Sequence, residues 1–79
     1  MTARATFDRE ADAVYVTLSD QPCAFGEDID HERRVDYAAD GTPIGIELLC
    51  VSEGVDLSHL PRADEVTTAL RQLGIRVLV

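Results

Sequence analysis

Asp8, Asp12, Asp36, Asp40 and Glu47 are the residues of this chain whose type and grouping best fit chemistry. Paired carboxylates can act as general acid and base, or hold a hard cation such as Mg²⁺ or Ca²⁺. Four of them, Asp8, Asp12, Asp36 and Glu47, form a candidate acidic site for cation binding or hydrolysis. Such a site requires their oxygens to converge within roughly 5 Å of one point. A simpler reading competes. Asp8, Asp12 and Asp40 suit turns, where a short acceptor side chain satisfies free amides. Asp36 and Glu47 suit the solvent face of strands, with an arginine close by in sequence. No Ca²⁺-loop motif is present.

Other reactive side chains stand apart. His31 and His59 are outside any zinc-ligand spacing, and neither belongs to an H-E-x-x-H helix motif. His31 falls at the end of an apolar strand face and reads as a rim residue. His59 precedes a helix. Ser19, Ser52 and Ser58 lack the context of a nucleophile elbow. Gly41 and Gly45 are spaced for a turn and a strand, with no phosphate-binding motif around them. Cys23 and Cys50 lie in unlike contexts and read as reduced thiols of a cytoplasmic protein. No catalytic residue, metal ligand set or cofactor is assigned.

The elements that must position these residues are legible from periodicity. Residues 3–7 and 13–18 read as two strands across the acidic loop 8–12. Val14, Val16 and Leu18 alternate with Ala13, Tyr15 and Thr17, so the first set is the core face. Loop length leaves the register of this first hairpin open. Residues 19–26 read as a loop containing Pro22. An extended run over 28–37 then turns at Asp40-Gly41, a strong hairpin signal, into a strand from Ile44 to Val51. Pairing across that turn sets Tyr37 against Ile44, Val35 against Ile46, Arg33 against Leu48 and Asp36 against Gly45. Arg34 then meets Glu47 as an opposite-charge cross-strand pair. Gly45 marks a bulge or a close approach.

From Pro61 the period changes. Val66, Ala69, Leu70 and Leu73 recur at helical spacing, Asp64 and Glu65 fall in the first turn, and Gly74 stands at a C-cap. Ile75-Arg76-Val77-Leu78-Val79 returns to strand character. The expected fold is α+β: an antiparallel β-meander of about four strands, one C-terminal helix packed on it, and a short C-terminal strand. The expected organisation is a single domain over 1–79, with the sheet in 1–51, a connector in 52–60, the helix in 61–73 and the terminal strand in 75–79.

Composition narrows the class. At 79 residues the chain buries only about 60% of its unfolded surface, so its core is thin and oligomerisation is a ready source of further stability. An apolar free edge at residues 75–79 invites pairing with a second chain, which makes Ile75, Val77 and Val79 candidate oligomer contacts. Fifteen acids against seven arginines give a net charge of −8, and lysine is absent. Phosphate backbones repel such a surface, which argues against nucleic-acid binding and leaves a basic protein partner or plain solubility to account for the charge. No apolar run approaches the roughly 20 residues of a membrane span, and the N-terminus lacks a signal-peptide pattern, so a cytoplasmic protein is expected.

Two blocks carry a family resemblance. Phe7-Asp8-x-Glu10-Ala11-Asp12-Ala13-x-Tyr15-Val16 and Val35-Asp36-Tyr37-x-x-Asp40-Gly41-x-x-Ile44-Gly45-Ile46-Glu47-Leu48-Leu49 occur in order. Over about residues 6–51 the chain resembles a family of small bacterial proteins catalogued as domain of unknown function 2283. It departs from that pattern at Phe7, where a tyrosine is usual, and at Ala38, where aspartate is frequent. The resemblance implies a compact antiparallel sheet followed by a helix, and it implies no reaction. The expected function is a non-catalytic protein-interaction module forming a homodimer. An antitoxin-like or inhibitory partner of a basic protein is the alternative, and the carboxylate site comes third.

Overall fold

The computed structural model describes residues 3–78. Five strands, β1 (Arg4–Asp8), β2 (Ala13–Thr17), β3 (Phe25–Asp28), β4 (Arg33–Tyr37) and β5 (Pro43–Leu49), precede a 3₁₀ turn, Val51–Glu53, and one helix, α1 (Ala63–Gln72). The fold is α+β, an antiparallel sheet in the order β1-β2-β5-β4-β3 with a C-terminal helix. Burial of one face drives it. Val14, Val16 and Leu18 of the β2 segment, Val35 of β4, and Ile46 and Leu48 of β5 point the same way. They meet Val51, Val55, Leu57, Leu60, Val66, Leu70 and Ile75 in one core. Each fully buried Val or Leu contributes about 1.5–3 kcal/mol.

The first hairpin closes with Asp8 opposite Ala13, so Phe7 faces Val14 on the core side. The expected alignment of β4 and β5 holds from Arg33/Leu48 to Asp36/Gly45, then shifts: Tyr37 pairs with Pro43, not with Ile44. Pro43 has no N–H for the ladder, and the extra residue beside it forms a bulge. Ile44 is thereby buried, and its carbonyl accepts the N–H groups of Leu18 and Ser19. A second difference adds a strand. Phe25 and Gly26, expected in a loop, begin β3, and the expected extended run over 28–37 breaks at residues 29–32. The Asp30 carboxylate causes the break by accepting the Glu32 N–H at 3.0 Å and the Arg33 Nε at 2.9 Å.

Helix α1 begins at Ala63, two residues inside the expected start, because Arg62 at its N-cap takes a left-handed φ of 53°. At its other end Gly74, with φ 76°, donates to Arg71 and Ile75 donates to Leu70, the paired bonds of a Schellman cap. Ile75 is thus buried in its own chain's core, and Val77 makes a parallel bridge to Val55. Val79 lies outside the described residues. No helix among the described residues is long and apolar enough to cross a membrane.

The connector has little regular structure, and side chains hold it. Arg33, with only 10% of its side chain exposed, donates Nη1 to the carbonyls of Asp56 (2.9 Å) and Ser58 (2.6 Å). Arg62 donates to the carbonyl of Leu18 at 2.8 Å and pairs with Glu65. Replacing Arg33 by alanine removes both connector bonds and the ion pair to Asp30, which keeps only its bond from the Glu32 N–H. Arg33→Ala should lower unfolding free energy by about 2 kcal/mol, read as a reduced urea midpoint with an unchanged slope.

Candidate functional site

Tyr15, Arg34 and Asp36 come together on the face of the sheet opposite the core. In the register Asp36 stands between Gly26 of β3 and Gly45 of β5. A glycine on each side leaves room for two long side chains to lie flat on the strands. Tyr15 crosses over Gly45 and donates its hydroxyl to Asp36 Oδ2 at 2.8 Å. Arg34 crosses over Gly26 and donates Nε to Asp36 Oδ1 at 3.2 Å, and Nη1 to Asp28 at 3.2 Å. A methyl group on Gly45 would collide with the Tyr15 phenol, and one on Gly26 would collide with the Arg34 guanidinium and the Asp36 carboxylate. Asp36 keeps 19% of its side chain exposed, so this network is half sheltered.

Electrostatics fix the roles. Burial, and then the hydrogen bond to the Asp36 carboxylate, push the Tyr15 phenol up to about 12. Tyr15 is therefore a neutral donor at physiological pH and unsuited to act as a base. Its bonds to Asp36 and Asp28 hold the Arg34 guanidinium above its ordinary value. This arrangement makes a polar surface whose side chains lie along the strands and are tied to one another.

A family model described as a protein of unknown function, DUF2283, matches residues 4–52, more than half of the chain. The chain belongs to the DUF2283 family. No curated protein and no solved structure matches it. Tyr15, Gly26, Arg34, Asp36 and Gly45 all fall inside the matched span of this DUF2283 chain, and helix α1 falls outside it.

The four carboxylates of the candidate acidic site serve different places in this DUF2283 fold. Asp8 accepts the Ala11 N–H at 3.1 Å and closes the first turn. Asp12 reaches the 3₁₀ turn, accepting the Ser52 N–H at 3.0 Å and its hydroxyl at 2.7 Å. Asp36 is held by Tyr15 and Arg34. Glu47 is exposed opposite Arg34, yet the ion pairs of Arg34 among the described residues go to Asp28 and Asp36. The expected Arg34–Glu47 pair gives way because Gly26 leaves room for the guanidinium over β3, where the Asp28 and Asp36 carboxylates accept it. Asp40 caps its own turn through the Thr42 N–H at 3.0 Å.

One convergence has no signal in the spacing. Glu32, Cys50 and Glu53 bring their ligand atoms within 4.8 Å of one another, the only such group among the described residues. The Leu49 N–H donates to the Glu32 carbonyl at 2.8 Å and ties that turn to the end of β5. The hydrogen bond to the Glu32 carboxylate, more than burial, pushes the Cys50 thiol up. Cys23 and Cys50 are both free thiols, and His31 is exposed in the β3–β4 turn. Tyr15 belongs to no reactive motif in the sequence. The cue was its place on the solvent side of β2, with a glycine opposite Asp36.

The Tyr15–Asp36 bond is open to titration. The stability it supplies is complete below the ordinary tyrosine value of 10.0 and is lost as pH rises through about 12. Phenolate absorbance should show a transition near the upper value that vanishes in Tyr15→Phe. Asp36→Asn should move it part of the way down, because burial, the larger cause, remains. An unmoved transition in Asp36→Asn would show that the hydrogen bond contributes nothing.

Proposed function

We propose that this protein is a non-catalytic interaction module that works as a homodimer joined at an open edge of its sheet. The observation that supports this reading is the strand order: β1 and β3 each have one strand neighbour and present a row of backbone groups on the other side. The outer face formed by Tyr15, Asp36 and Arg34 suits contact with a macromolecule. A bacterial cytoplasm is the setting that fits the family resemblance and the two free thiols. Sedimentation equilibrium at tens of micromolar should return twice the chain mass. A monomer there would sink the homodimer.

A second reading, an antitoxin-like or inhibitory partner of a basic protein, is favoured by an acidic groove of about 470 Å³. Asp28, Asp30, Glu32 and Glu47 line it together with Arg33, Arg34, His31 and Leu49, and Arg33 and Arg34 pair with Asp30 and Asp28, so Glu32 and Glu47 carry its excess of negative charge. The net charge of −8 would speed the encounter and make it sensitive to salt. Affinity capture from native cells at low salt should recover a basic protein that Glu32→Lys/Glu47→Lys no longer holds. Recovery of no basic partner at either low or high salt excludes this role.

A further inference from the structure

The two open edges are not equivalent. Leu18 donates its N–H to the carbonyl of Ile44 at 2.8 Å, so the even-numbered residues of β2 bond to β5. By the alternation of an antiparallel ladder, Ala13, Tyr15 and Thr17 bond to their partners Asp8, Thr6 and Arg4 in β1. The N–H and C=O groups of Ala5 and Phe7 therefore point away from the sheet. On the outer face of the same strand Arg4, Thr6 and Asp8 are exposed, while Ala5 and Phe7 pack against the core. Strand β1 is electrically neutral, with Arg4 near one end and Asp8 at the other. Strand β3, Phe-Gly-Glu-Asp, carries two acids and no base.

We infer, on the homodimer reading above, that β1 pairs antiparallel with β1 of a second copy about a two-fold axis through Thr6. This register overlaps the whole strand with itself. Ala5 and Phe7 of one copy exchange N–H···O=C bonds with Phe7 and Ala5 of the other. Arg4 of each copy faces Asp8 of the other, and Thr6 meets Thr6 on the axis. Opposite charges directly across a strand pair are favourable, and here the symmetry makes two such pairs. Existing contacts leave them accessible. Arg4 reaches Asp20 only at 3.9 Å, with both side chains more than two-thirds exposed. Asp8 spends Oδ1 on the Ala11 N–H. Pairing at β3 would instead bring Glu27 and Asp28 of two copies together with no cation on the strand itself, the neighbouring Arg34 being shared already between Asp28 and Asp36. Joining β1 to β3 would be head-to-tail and would propagate, whereas the two-fold contact closes.

Charge reversal tests the register on the full-length protein. Arg4→Asp and Asp8→Arg should each raise the dimer dissociation constant about tenfold or more, since each sets like charges opposite. The double variant should recover the dimer, and so should an equimolar mixture of the two single variants, whose edges are complementary only to each other. Ala5→Pro removes an outward N–H and no bond within the chain, and should give a folded monomer by circular dichroism. Thr6→Cys in a Cys23→Ser/Cys50→Ser background should link two chains on mild oxidation, because the axis places these positions within disulfide reach. A dimer indifferent to these edge changes, or a Thr6→Cys protein that stays unlinked, overturns the β1 assignment and spares the homodimer. A wild-type monomer overturns both.

Discussion

Burial of one side of a five-stranded sheet is the constraint on which the rest of this small protein depends. Val14, Val16, Val35, Ile46 and Leu48 can leave water only if something lies across them. Helix α1 and the largely irregular connector before it supply that cover, and the chain has few residues to spare for the purpose. Loops that would elsewhere run over the surface therefore pack against the core through Val51, Val55, Leu57 and Leu60. Their backbone groups still need partners. Side chains supply several of them: Arg33 for Asp56 and Ser58, Asp12 for Ser52, and Arg62 for Leu18. Charged residues here do work that a larger domain gives to further strands and helices.

The opposite face obeys another logic. It has no cover, and its order comes from side chains laid across neighbouring strands. Two glycines, one on each side of Asp36, give Tyr15 and Arg34 a bed to lie on. The carboxylate receives a donor on each oxygen. Burial and the bond to Asp36 hold the phenol in its protonated form, and the carboxylate has both oxygens engaged. Acidic residues along the adjacent turn give the surface its sign, and the neutral β1 edge interrupts it.

Much of the fold was readable from the residues, because alternation and helical spacing report burial directly. The core faces of β2, β4 and β5 and the stripe of α1 follow from that rule, and so does the Gly74 cap. What went unread had local causes. Strand β3 was hidden because Phe-Gly-Glu-Asp has too little apolar alternation to announce itself. The shift at Tyr37 came from Pro43, whose missing N–H makes the ladder tolerant of an extra residue. Ile75 looked like a free apolar end, but the Schellman cap turns it back under the helix.

The candidate site divides along the same line. Local pattern was enough to assign Asp8 and Asp40 to turns, Asp36 and Glu47 to the solvent side of their strands, and Gly45 to the position across from Asp36. These are matters of short range, settled by turn chemistry and by the two-residue period of a strand. It took the folded chain to bring Tyr15 over Gly45 to Asp36, to turn Arg34 to Asp28 rather than Glu47, and to set Asp12 against Ser52. Each of those bonds joins residues on separate strands or segments. Their meeting depends on strand order and on the missing side chains of two glycines, neither of which local spacing encodes.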